Sequence, residues 1–173
     1  MIDRALYRIK QGVLGLLALA APTDYAELEP VLTPEMLALF RRMRRSEQWH
    51  SLRVMRALVA QGHTHPDLLV AALLHDSGKA RYRYTLLGRT LVVLAKRVAP
   101  RRFERWGQEE PRGLRRPFVI AMQHPVWSAE DMARAGASPL AVALARQHQI
   151  AVREPQCEEE RLLQWLQAVD DAE

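Results

Sequence analysis

Apolar residues recur along this chain at intervals of three and four and nowhere alternate with period two, so the pattern predicts helices throughout. Residues 2 to 21 read as a first helix, with Ile2, Leu6, Ile9, Val13, Leu16 and Leu17 on one stripe and Pro22 as its stop. Thr33 and Pro34 start the next helix as cap and first-turn residue, followed by Met36, Leu37, Leu39 and Phe40. Ser46 is placed to cap a third, which carries His50 in its first turns, an apolar stripe of Leu52, Met55, Leu58 and Val59, and Gly62 at its end. Pro66 and Asp67 open a helix whose run from Leu68 to Leu74 leads straight into His75-Asp76, and Gly78 then bends the chain.

Downstream, Leu86 to Val98 reads as a helix. The polar stretch 99 to 116, with Pro100, Gly107, Pro111 and Gly113, reads as a surface loop and is the best candidate in the chain for a mobile lid or insert. Phe118, Val119 and Met122 continue helically to His124-Pro125, and Ser128 with Asp131 resembles a fresh capping box that opens a short helix ending at Gly136. Ser138-Pro139 starts another, running past Leu140, Ala143 and Leu144 to His148. A last one spans Glu158 to Val169, with Leu162, Leu163, Trp165 and Leu166. No internal repeat and no compositional break appears, so the expected fold is all-α in a single domain.

Composition supports this picture and narrows the function. With 173 residues and 49% hydrophobic content the chain can bury one core, and only eight glycines favour helix over sheet. The single cysteine, Cys157, cannot close an internal disulfide, which fits a reducing compartment. The net charge of +5 points to an anionic partner. The basic clusters are Arg41, Arg42, Arg44 and Arg45, then Lys96, Arg97, Arg101, Arg102 and Arg105, then Arg112, Arg115 and Arg116. Arg4, Arg8 and Lys10 before the apolar run Gly12 to Ala21 outline a signal peptide, but Asp3 and the helical spacing favour a helix of the folded chain and a cytoplasmic location. That run is too short to span a bilayer, so no transmembrane segment is expected.

The chemistry gathers around histidines. His50, His75, His124 and His148 sit at helix ends or inside otherwise apolar helices, where a lone histidine is more often a satisfied core group than a ligand. Their combination changes that. An ionised Asp76 closing the buried run Ala71-Ala72-Leu73-Leu74 is costly unless something positive meets it, and a metal ion meets both the carboxylate and the neutral imidazole of His75. Adjacent helical positions diverge by about 100°, so the ion must sit where the helix bends. Other helices must supply the remaining ligands, and His50 and Asp170 are the natural candidates.

The order His50, then Leu-Leu-His75-Asp76-Ser-Gly-Lys79, then Ala168-Val169-Asp170, resembles the HD-domain metal-dependent phosphohydrolases, whose signature is a distant His, a His-Asp pair often continued as HDxGK, and a late Asp. The resemblance covers roughly residues 46 to 171. It implies an HD-type helical bundle, with residues 1–45 as N-terminal helices packing on the core and 46–173 as the metal-binding domain in one compact unit. It also implies that His50, His75, Asp76 and Asp170 hold a first metal, although Asp171 could stand for Asp170. His124-Pro125 with Ser128-Ala129-Glu130, and Arg146-Gln147-His148-Gln149, look like the HPxxGAE and HHE segments of the HD-GYP subgroup. There His124 and His148 would bind a second metal, with Asp76 bridging. The chain departs from that subgroup at Gln147 and Gln149 and has no GYP segment, which makes a trinuclear site and cyclic dinucleotide hydrolysis poor fits. The acidic pair expected of guanosine tetraphosphate hydrolases is also missing.

The expected activity is hydrolysis of a phosphate ester by metal-activated water, on a nucleotide or related phosphomonoester or diester. Asp76 and Lys79 would be its catalytic residues. Lys79, one helical turn past His75, would reach a phosphate oxygen, and Arg81 and Arg83 are weaker candidates for that role. The mixed His and carboxylate set suits one or two ions of Fe, Mn, Co, Ni or Zn better than Ca, with Mg also admitted. The alternative is an inactive HD domain that binds metal or a nucleotide as a regulatory module. A nucleic acid partner is compatible with the charge, but no reading helix or aromatic platform supports it.

Overall fold

The computed structural model describes residues 25–173, so the expected first helix and the signal-peptide question lie outside the described residues. Eight α-helices appear among them: α1 (Pro34–Arg42), α2 (Arg45–Ala60), α3 (Pro66–Leu74), α4 (Leu86–Val98), α5 (Pro100–Gly107), α6 (Arg116–Arg134), α7 (Pro139–Gln147) and α8 (Glu158–Asp170). Two 3₁₀ turns, Ser77–Arg81 and Gly113–Arg115, complete the list, and no strand occurs among the described residues. The all-α expectation holds. No helix of the described residues is long and apolar enough to cross a membrane.

Local chemistry sets most helix starts. The Thr33 hydroxyl accepts from the Met36 amide at 3.3 Å, Ser138 accepts from Ala141 at 3.0 Å, and Pro34 and Pro139 fill first turns. At α3 the cap is His65, whose Nδ1 accepts from the Asp67 amide at 3.2 Å. Ser46 is not a cap. Helix α2 begins at Arg45, two residues earlier than a Ser46 cap would place it, because the Arg44 amide finds the Glu47 carboxylate at 3.2 Å.

Helix α3 is the axis. Leu68 and Val70 to Leu74 are buried on every side, against α2, α7, α8 and α1, which explains why the run shows almost no amphipathic pattern. Burying each such leucine is worth about 1.5–3 kcal/mol. A smaller apolar cluster joins α4, α5 and α6 through Tyr84, Val92, Phe103, Phe118 and Ile120. The stretch 99 to 116 is therefore not a plain loop. Pro100 sits in the first turn of α5, and Phe103 reaches the small core edge-on to Phe118, which holds the helix down.

Helix α6 is the larger surprise. It runs unbroken through Pro125, so Ser128 does not cap a new helix. A proline inside a helix removes one backbone hydrogen bond, but burial of the flanking turns keeps the helix continuous, with Phe118, Val119, Ile120 and Ala129 inside. The Ser128 hydroxyl instead accepts from the Gly78 amide at 2.8 Å and fastens the first 3₁₀ turn to α6. Gly78 is needed there. A Cβ would stand 2.5 Å from the His124 carbonyl oxygen and 2.7 Å from the Ser128 amide nitrogen.

Candidate metal centre

His75 is the last residue before α3 unwinds, and Asp76 begins the 3₁₀ turn with φ −99° and ψ 0°. The bend required for adjacent residues to face one point is thus present. Into it come His50 from α2, Asp170 from the final position of α8, His124 from mid-α6 and His148 from the end of α7.

The geometry is a chain of close approaches. Asp170 Oδ1 lies 2.8 Å from His50 Nε2 and 3.4 Å from His75 Nε2. Asp76 Oδ1 lies 3.2 Å from His124 Nε2, 3.8 Å from His75 Nε2 and 4.0 Å from His148 Nε2. The other carboxylate oxygen, Oδ2, accepts from Lys79 Nζ at 2.5 Å. All six expected ligand residues are brought together, and it is Asp170, not Asp171, that meets the histidines. Among the described residues, two groups can each hold an ion: His50, His75 and Asp170, and His75, Asp76 and His148.

How the imidazoles are held decides what they can do. His75, His124 and His148 each direct Nδ1 at a carbonyl of their own helix, Ala72 at 3.0 Å, Ile120 at 2.9 Å and Ala145 at 2.7 Å. A carbonyl only accepts, so Nδ1 carries the proton, and in the neutral ring Nε2 is left as a lone pair aimed inward. Burial, and then the Lys79 cation, lowers the His124 pKa. Burial, and then the charge on His75, drives His148 down to about 3. Both rings are therefore neutral at pH 7, and their lone pairs confront a carboxylate oxygen.

Acceptors facing acceptors in a buried space call for a cation. Burial alone would lower the His75 pKa, but Asp76 and Asp170 outweigh it and raise it to about 9. Burial opposes ionisation of Asp76 as well, yet Lys79 and then His75 hold its pKa well below the carboxylate range, and His75 with His50 does the same for Asp170. The His75 proton thus supplies the positive charge that the donor set demands. Its Nε2 is buried and makes no hydrogen bond. The donors present, imidazole nitrogens and carboxylate oxygens on a preorganised frame, fit a divalent transition metal.

Several neighbours were assigned differently by the sequence. Arg81 is engaged within the fold: Asp131 clamps it through two contacts of 2.9 and 2.7 Å, and Glu130 adds a third at 2.9 Å, so it rivets the 3₁₀ turn to α6. Arg83 lies apart from the cluster, lining a groove with Leu87 and Leu114. Gln147 turns away to Glu159 at 2.9 Å, whereas Gln149 Nε2 comes within 3.4 Å of His124 Nε2.

A polar cavity of about 310 Å³ opens beside the cluster, lined by His148, Gln149, Asp170 and Asp171, and by Lys96 from α4. Lys96 had been visible only as one of a basic run; its place at the mouth depends on how α4 packs, which no local spacing encodes. Desolvation there, and then repulsion from Lys79, lowers its pKa.

The family model describing the HD domain matches residues 49–171. No curated protein and no solved structure matched the chain. The matched span begins at Trp49, one position before His50, and contains all six clustered residues. With more than half of its length matched, this chain belongs to the HD domain family, a superfamily of divalent-metal-binding proteins that are typically metal-dependent hydrolases.

Proposed function

We propose that the protein is a phosphohydrolase of the HDxGK type that cleaves a phosphate ester, in a nucleotide or a related phosphomonoester or diester. The observation that carries this reading is the convergence of the His75, His124 and His148 imidazole nitrogens on the Asp76 and Asp170 carboxylates beside an open polar cavity.

His50, His75, Asp76 and Asp170 would hold a first ion. His124 and His148 would hold a second, with Asp76 shared between the two. The set suits Fe, Mn, Co, Ni or Zn, with Mg also admitted. Such an ion supplies a water of lowered pKa as nucleophile and neutralises charge on the phosphoryl oxygens. The protein's own part is preorganisation. Lys79 engages Asp76 Oδ2 and so leaves Oδ1 facing the imidazoles. The three backbone carbonyls fix the tautomers. Lys96 sets a positive charge at the cavity mouth, where the phosphate would enter. In this reading residues 46–173 form the metal-binding domain, and the preceding helix α1 packs on it.

A second reading, a regulatory module that binds metal or a nucleotide without turnover, is favoured by the neutral Gln149 amide beside His124. Elemental analysis of the purified protein, beside His75→Ala and Asp76→Ala, addresses the site, and a phosphate-ester panel with added Mn²⁺ addresses turnover. Both variants should lose bound metal. Equal metal in all three proteins would remove the basis of the proposal, and retained metal with no hydrolysis would select the regulatory module.

A further inference from the structure

On α4, Leu87, Leu91, Leu94 and Val98 follow at i, i+4, i+7 and i+11 and share one face, and that face points to solvent. Leu86 and Val93 flank it, so the helix buries only Gly88 and Val92 among its residues. Leu87 is 70% exposed and Val98 72%, and Leu114, across a groove of about 230 Å³, is 88% exposed. Single exposed leucines are unremarkable, but a contiguous apolar stripe on a helix marks a surface that meets something.

Charge identifies the partner. Between Arg83 and Arg116 the chain places ten Lys and Arg residues against three Glu. Two of those, Glu109 and Glu110, are ion-paired with Arg115 and Arg112 in the same segment. This segment is more positive than the whole chain, whose net charge is +5, so the rest of the molecule is slightly acidic. Arg83 and Arg116 line the same groove as Leu87, Leu91 and Leu114. A projecting apolar stripe bordered by arginines has the chemistry of an interfacial helix, with side chains entering the acyl boundary and guanidinium groups meeting headgroup phosphates. A second copy of the chain fits less well, since pairing this face with itself would oppose two strongly basic segments.

We propose that α4 and the Gly113–Arg115 turn dock the protein on an anionic lipid surface. The test is co-sedimentation of the full chain with phosphatidylcholine vesicles, with and without phosphatidylglycerol, for the wild type and for Leu87→Asp/Leu94→Asp. Both leucines are exposed and lie outside the metal cluster, so the variant should keep its melting temperature and its metal. The wild type should bind the anionic vesicles, more weakly as salt rises, and the variant should lose about tenfold in affinity per leucine. Absence of wild-type binding at low salt, equal binding to pure phosphatidylcholine, or wild-type binding by the variant would each overturn the proposal. So would a variant that fails to bind but also converts a dimer to a monomer, which would assign the face to a second copy. A variant that melts early while the wild type ignores vesicles would assign it to residues 1–24.

Discussion

Gly78→Ala is the most searching perturbation of this structure, because it adds one methyl group and replaces no candidate ligand side chain. The new Cβ would lie 2.5 Å from the His124 carbonyl oxygen, 2.7 Å from the Ser128 amide nitrogen and 2.8 Å from Trp127 Cβ, where ordinary contact begins at 3.4 Å. Two of these are backbone atoms of a buried helix turn and cannot swing aside, so the 3₁₀ turn must retreat by close to an ångström. Overpacking of this kind costs about 1–3 kcal/mol. For a chain of this size that lowers the melting temperature by about 2–12 °C. The retreat would also carry Asp76 away from His124, a contact now at 3.2 Å. Losses of about 10–100-fold in metal affinity are typical when ligand-supporting contacts are lost. Thermal melts and metal titrations measure the two effects. Ser128→Ala is the control: it strands the buried Gly78 amide at a cost of about 1–3 kcal/mol but pushes nothing, so it should lose stability while keeping most of its metal affinity. If Gly78→Ala melted with the wild type, or bound metal equally well, the account of how α6 positions the His-Asp turn would be wrong.

Three further outcomes are expected. In metal-stripped protein, His75 has its pKa raised from 6.5 to about 9, so it contributes stability that is complete below pH 6.5 and lost as pH rises through about 9. Asp76 and Asp170, depressed from 3.8, contribute stability above that value that is lost in acid; urea midpoints across this range should fall at both ends, and a flat alkaline side would refute the assignment. Glu47→Ala should destabilise by about 2–3 kcal/mol in chemical denaturation, because the buried carboxylate bonds Arg89 at 2.6 Å and the Arg44 amide at 3.2 Å. Lys96→Ala should raise KM for a phosphate ester more than it lowers kcat and leave metal content unchanged, whereas loss of metal would show that its place at the cavity mouth is structural.

What could be read in advance follows the range of the interaction. Caps and prolines act within four residues, so Thr33-Pro34, Pro66 and Ser138-Pro139 announced their helices correctly. His75 and Asp76 stood out because a carboxylate after a wholly apolar helix has an evident electrostatic cost, and the remaining four clustered residues followed from a pattern spread along the chain. Features decided between helices were invisible. Ser128 looked like a cap because its true partner, Gly78, is fifty positions away. Arg81 looked available because Asp131 and Glu130 are equally distant. Lys96 was hidden among arginines because α4 alone decides which of them reaches the cavity.

Each of the three buried imidazoles takes its bearing from the carbonyl of its own helix. No helix therefore knows where the others' nitrogens are; the distances between them record only how α3, α6 and α7 lie against one another. The side chains of α6 and α7 include small ones, Ala129, Ala141 and Ala145, all fully buried. Alanines carry no ligating atom, and a buried alanine leaves room for two helices to approach closely. Lengthening one of them by a carbon or two would shift the helices and change the spacing of the nitrogens without altering a single donor.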